Sequence, residues 1–155
     1  MWRKIDTAGL SFERLVGFSI PVDNSVVVIS YDEVQLLKLR LGQVLQIENV
    51  QIDRNGIFPF STYNEEKKSI DINGVRHDML GIFGGSPILS SAKQDTLSID
   101  PHNQRLIARD VLGQEILSFA YDDLSGDWQL ATFSADSRYI VLGMPYEWHI
   151  WYQGS

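Results

Sequence analysis

Cysteine is absent from this 155-residue chain. Disulfide frameworks, thiolate metal sites and cysteine nucleophiles are therefore excluded, and the absence fits a reducing compartment. Long apolar runs are absent as well. Nothing approaches the roughly 20 consecutive apolar residues of a membrane-spanning helix, and the N-terminal stretch MWRKIDTAGLSFERL lacks the hydrophobic segment of a signal peptide. Positive charge is scarce and scattered: 13 Lys and Arg stand against 20 Asp and Glu, a net charge of -7. An acidic surface repels phosphate backbones, and the densest basic spot is only Lys67-Lys68. The expectation is a soluble, cytoplasmic, unprocessed protein that contacts neither nucleic acid nor membrane. A basic protein partner is easier to accommodate on such a surface.

Helical periodicity is the remaining absence. The most helix-like stretch, SYDEVQLLKLRLGQVLQI, alternates in its middle, with Leu37, Leu39 and Leu41 set against Lys38 and Arg40. Period two is the signature of a half-buried strand. SVVVIS is a β-branched run of strand length bounded by turn residues, and RYIVLGM and RLIARDVLG behave alike. With 44% hydrophobic and 21% charged residues the chain can bury a core. Residues 1–155 are expected to form a single all-β domain of antiparallel strands, with an irregular segment at 50–70.

The glycines carry a repeat. KIDTAGLSFERLV, LKLRLGQVLQIENV, SIDINGVRHDMLG and IARDVLGQEILSFAY each read as strand, turn and second strand around Gly9, Gly42, Gly74 and Gly113, and WHIWYQG stops at Gly154. The successive separations are 33, 32, 39 and 41 residues, near the length of a propeller blade. Glycine suits these places because a tight hairpin needs positive φ. A second echo, GFSIPVDNSVVVIS and TFSADSRYIVLGM, shares Phe-Ser, an Asp-containing turn and a β-branched strand.

FSADSRYIVLG followed by WHIW resembles the degenerate core of WD40-type β-propeller repeats, and IDTAG and IDING resemble the turn after that core. The resemblance implies about four propeller-like, blade-like units, with a β-sandwich or barrel as the alternative. It also implies that the N-terminal strand completes the last blade, which would remove exposed sheet edges. Departures are visible: no Gly-His pair opens a repeat, and no Asp follows Trp148 or Trp151.

Catalytic and metal motifs are missing. DRNG at 53–56 and DING at 71–74 lack the ligand spacing of a calcium loop and read as type I′ hairpin turns. GIFGGSP at 81–87 is no phosphate loop, since no Gly-Lys-Ser/Thr opens a helix; its glycines mark a bulge or a close backbone passage. His77, His102 and His149 have no zinc-ligand spacing, and no Gly-x-Ser-x-Gly elbow is present. Asp122, Asp123 and Asp127 sit in a turn, where Asp caps backbone groups. No cofactor is expected.

The candidates for binding are aromatic. On a strand, Trp148, Ile150 and Tyr152 would face one side and His149, Trp151 and Gln153 the other. Such rings either pack between blades or leave one face open to a partner. Tyr146, in the turn MPYE, with Trp128, Trp148, Trp151 and Tyr152, forms the first candidate surface. The charged run YNEEKK, read as an exposed loop or short helical insertion beginning at Tyr63, is the second. The expected function is a non-catalytic binding module for another protein, or by self-association for a second copy. A carbohydrate-binding, lectin-like protein is the alternative, and a hydrolase the more distant one.

Overall fold

In the computed structural model, residues 1–40, 42–50 and 63–154 are described. They contain fourteen strands, all paired antiparallel, and no helix. The strands are β1 (Trp2–Lys4), β2 (Leu15–Ser19), β3 (Ser25–Ser30), β4 (Val34–Arg40), β5 (Gln43–Asn49), β6 (Tyr63–Asn64) and β7 (Ser69–Ile72). They continue as β8 (Val75–Gly81), β9 (Thr96–Asp100), β10 (Arg105–Arg109), β11 (Glu115–Ala120), β12 (Leu130–Phe133), β13 (Tyr139–Met144) and β14 (Glu147–Gln153).

Chain order groups them into four meanders. β2 to β5 form the first, β6 to β8 the second, β9 to β11 the third, and β12 to β14 the fourth. β1 completes the fourth by pairing with β14, Trp2 opposite Gln153 and Lys4 opposite Trp151. The chain ends therefore share one sheet. The first and second meanders are joined by pairing of β2 with β8 into a seven-stranded sheet, and none of the three sheets closes on itself.

The glycine spacing has a structural counterpart. Gly42, Gly74 and Gly113 each follow the penultimate strand of a meander, at β4–β5, β7–β8 and β10–β11, and each has positive φ, from 76° to 85°. Gly154 follows β14, next to the place where β1 is the closing strand. Asn73-Gly74, with φ of 52° and 79° between the paired Ile72 and Val75, forms the two-residue hairpin expected of it. Gly9 is different: it lies beyond β1 and does not take positive φ. Asn55-Gly56, and most of the irregular segment, lie outside the described residues.

The Phe-Ser echo also occupies equivalent places. Phe18 and Phe133 lie at or next to the ends of the first strands of the first and fourth meanders, both fully buried. The serine after each is buried and accepts backbone N–H groups across the turn, Ser19 from Val27 at 2.7 Å and Ser134 from Tyr139 at 3.0 Å. A buried hydroxyl needs such partners, which explains a polar residue behind each phenylalanine.

Three buried clusters order the meanders. Phe18, Val26, Val28 and Leu37 of the first meet Tyr139, Val141, Trp148 and Ile150 of the fourth. The opposite face of the fourth, with Phe133, Ile140, Leu142 and Trp151, packs on Leu97, Leu106 and Ala108 of the third. The opposite face of the first, with Val27, Ile29 and Leu36, packs on Ile70, Ile72 and Met79 of the second. The layers therefore run third, fourth, first, second. Strand alternation explains how β3 and β13 serve two interfaces each, since successive side chains point to opposite faces.

Candidate binding surface

The predicted split of the last strand is observed. Trp148 and Ile150 enter the cluster against the first meander, where Tyr152 packs half-buried, while Trp151 enters the cluster against the third. Trp148 and Trp151 are each 3% exposed. Their area goes into layer packing, and they offer no open ring to a partner. Trp128 is half-buried and stacks on Phe18 at 6.3 Å between centroids. Tyr152 lies 5.4 Å from the Tyr139 ring. Tyr63, on β6, packs half-buried against the cluster between the first and second meanders. The charged run after it is a hairpin turn into β7 with Glu65, Glu66 and Lys67 exposed, and contains no helix.

Tyr146 is the exception, 54% exposed in the two-residue turn between β13 and β14. The turn is anchored by the buried Pro145, whose carbonyl accepts the Leu15 N–H at 2.7 Å. That bond brings Arg14 beside Tyr146. The guanidinium donates to the Asp127 carboxylate at 2.5 Å and lies 5.5 Å from the centroid of the Tyr146 ring. It lies 5.9 Å from the Tyr31 ring, itself 45% exposed, and Tyr31 N–H donates to the Arg14 carbonyl at 3.0 Å. Stacking an arginine on aromatic faces while a carboxylate holds one edge fixes a side chain that otherwise has high rotamer entropy. The result is a preorganised patch of Tyr, Arg and Tyr on the seam between the first and fourth meanders.

Only Tyr146 of this group stood out as a binding residue in the sequence. Arg14, Tyr31 and Asp127 come from separate segments, and no spacing relates them. Arg14 and Tyr31 each border a strand end, whereas Asp127 lies in the connection before β12.

The acidic turn is built for structure. Asp123 is buried; burial pushes its carboxyl up, but donation from the Ser125 hydroxyl, the Gln129 amide and backbone N–H groups outweighs this and holds it below the usual range. Asp100 caps its turn, accepting from the backbone of His102 and Asn103 and from the Asn103 amide. His77 is buried on β8, and His149 on β14 is half-buried against Phe119 with Nε2 3.0 Å from Glu147. Among the described residues no group of three His, Cys, Asp or Glu is placed to hold a metal ion. No helix there is long and apolar enough to cross a membrane. In GIFGGSP, a Cβ on Gly81 would lie 2.3 Å from the Val16 carbonyl oxygen and one on Gly85 2.4 Å from that of Met79, so these glycines permit a close backbone passage.

Fold and surface together define an all-β antiparallel protein with an arginine–tyrosine patch at a layer seam. The chain matches no protein-family model, no curated protein and no solved structure.

Proposed function

We propose that the protein is a non-catalytic platform that binds another protein through the patch centred on Arg14 and Tyr146. The supporting observation is the grouping of Arg14, Tyr31 and Tyr146, three exposed or half-exposed side chains of the types that dominate binding energy at protein interfaces, held by Asp127. The guanidinium lies 5.9 Å and 5.5 Å from the two ring centroids, and a charged group set between the two rings favours a polypeptide contacting the whole patch over a sugar stacking on one ring. The meanders serve as the rigid support. The completion of the fourth meander by β1 favours propeller-like repeats, set in an open row of four layers.

The test is capture from a source-cell lysate by the tagged protein, with quantitative mass spectrometry, beside Tyr146→Ala and Arg14→Ala. One protein recovered at fixed stoichiometry and lost with both variants is the expected result. Recovery of the same proteins by the variants, or of none by the native chain, would overturn the assignment.

A further inference from the structure

Between the first and second meanders, dry packing gives way to an opening. Leu36 and Ile72 belong both to the buried cluster there and to the wall of a cleft of about 390 Å³, the size range of small-molecule sites. Alternation on β4 sends Leu36, Lys38 and Arg40 to one face, and alternation on β8 does the same for Val75 and His77. The cleft thus has apolar walls and two exposed cations in its lining. Neither cation has an ion pair among the described residues. Among the described residues Asp23 is the one acid in the lining, which there carries two positive charges against one negative in a chain of net charge -7.

His77 also lines the cleft, 1% exposed, and its Nδ1 is buried with no hydrogen-bond partner among the described residues. A buried polar atom left unpaired is costly and calls for a reason. We propose that the cleft binds a small organic monocarboxylate, its head toward Lys38 and Arg40 and its apolar body against Leu36, Leu45 and Ile72, beside the His77 ring. The single net charge matches a monoanion, and the three apolar walls give a purely inorganic anion nothing to bury. This site is separate from the Tyr146 patch and does not depend on it.

Binding has a signed link to pH. Burial lowers the tendency of His77 to protonate, while Asp71, Asp23 and Asp78 act against that burial. A carboxylate in the cleft adds to the acids, and Lys38 and Arg40 partly oppose it. Binding therefore favours the imidazolium and takes up protons. Because His77 is held below the ordinary imidazole value, affinity rises as pH falls from about 7 to about 5.5, a range in which a carboxylate stays mostly ionised.

The experiment is an NMR titration of the intact chain with hexanoate, following the His77 ring protons. 1-Hexanol and inorganic phosphate are the controls that separate body from charge. Saturable movement of the His77 signals at millimolar hexanoate or below, with binding at least about tenfold weaker for each control and for Lys38→Gln/Arg40→Gln, is expected. Both substituted positions are exposed, and an unchanged amide spectrum elsewhere verifies the fold. Unmoved His77 signals, phosphate binding as tight as hexanoate, undiminished binding by the double variant, or affinity that does not rise as pH falls from about 7 to about 5.5 would each overturn the proposal.

Discussion

The face-to-face packing of the first and fourth meanders turns on one glycine. Gly143, in the middle of β13, has no Cβ where Phe18 presses down; an added Cβ would lie 2.4 Å from Cε1 and 2.6 Å from Cδ1 of that ring. Phe18 is fully buried and backed by Trp128, so the ring has little room to turn aside. Overpacking a close-packed core costs about 1–3 kcal/mol, and Gly143→Ala is placed near the upper end, at about 2–3 kcal/mol, because two ring atoms collide. Gly113→Ala is the matched control. Its φ is +85° but nothing lies within 4 Å of its added Cβ, so only the left-handed backbone penalty of about 1–2 kcal/mol applies, reduced by the smaller unfolded-state entropy of alanine.

Urea unfolding followed by tryptophan fluorescence reads both. The decisive arm is Phe18→Leu, which alone leaves a cavity at a cost of about 1–2 kcal/mol but removes the colliding ring atoms. Combined with Gly143→Ala it should restore at least about 1 kcal/mol relative to the sum of the single losses. With Gly113→Ala the losses should simply add. A Gly143→Ala protein as stable as the native one, or zero coupling to Phe18→Leu, would refute the layering of the first meander on the fourth.

Three further outcomes are expected. Gly85→Ala meets the Met79 carbonyl oxygen at 2.4 Å with φ at +125°; backbone cannot swing away as a side chain can, so it should lose more than Gly113→Ala, measured by the same unfolding midpoint. Trp148→Ala removes a buried ring from the core and should cost about 3–5 kcal/mol, whereas Tyr146→Ala, exposed in its turn, should leave the thermal midpoint almost unchanged; equal losses would contradict their placement. His77 and His149 are both held below the ordinary imidazole value, chiefly by burial. A folded-state value below the unfolded one means the unfolded chain binds more protons, so this part of the stability is full above about pH 6.5 and falls away as pH drops through that window. His77→Gln/His149→Gln should flatten the stability slope between about pH 7 and pH 5, and an unchanged slope would count against buried, neutral imidazoles.

Much of the architecture was legible because it is local. The β-branched run SVVVIS and the alternation around Leu37 and Leu39 are properties of neighbours along the chain, and both stand as strands, β3 and β4. Asn73-Gly74 announces its hairpin because few other pairs tolerate two successive positive φ angles. Gly9 misled for the same reason in reverse: glycine permits positive φ without requiring it. The fate of Trp148 and Trp151 could not be read, because a strand pattern says which residues share a face but not which faces are covered. Arg14 was invisible altogether. Its importance comes from Tyr31, Asp127 and Tyr146, which lie 17, 113 and 132 positions away in the sequence.

That dependence ties the proposed function to the way the chain closes. Arg14 and Tyr31 border strands of the first meander, whereas Tyr146 lies between two strands of the fourth and Asp127 in the connection that leads into it. The patch exists only where those two layers meet. The outer layers end in polar faces: Asp71, Arg76 and Asp78 on the second meander, with Arg76 and Asp78 paired at 3.0 Å, and Arg105, Arg109 and Glu115 on the third, with Arg109 and Glu115 at 3.6 Å. Charged faces of this kind suit water and disfavour further apolar stacking. The fourth meander, by contrast, is apolar on both sides and is completed by a strand from the other end of the chain. Pairing β1 with β14 supplies Trp2 to one of those sides and Ile5 to the other, so the closing strand braces both interfaces of the layer that carries Tyr146. A platform whose contact residues straddle a seam needs that seam to be rigid, and the shared sheet of the two chain ends provides the rigidity.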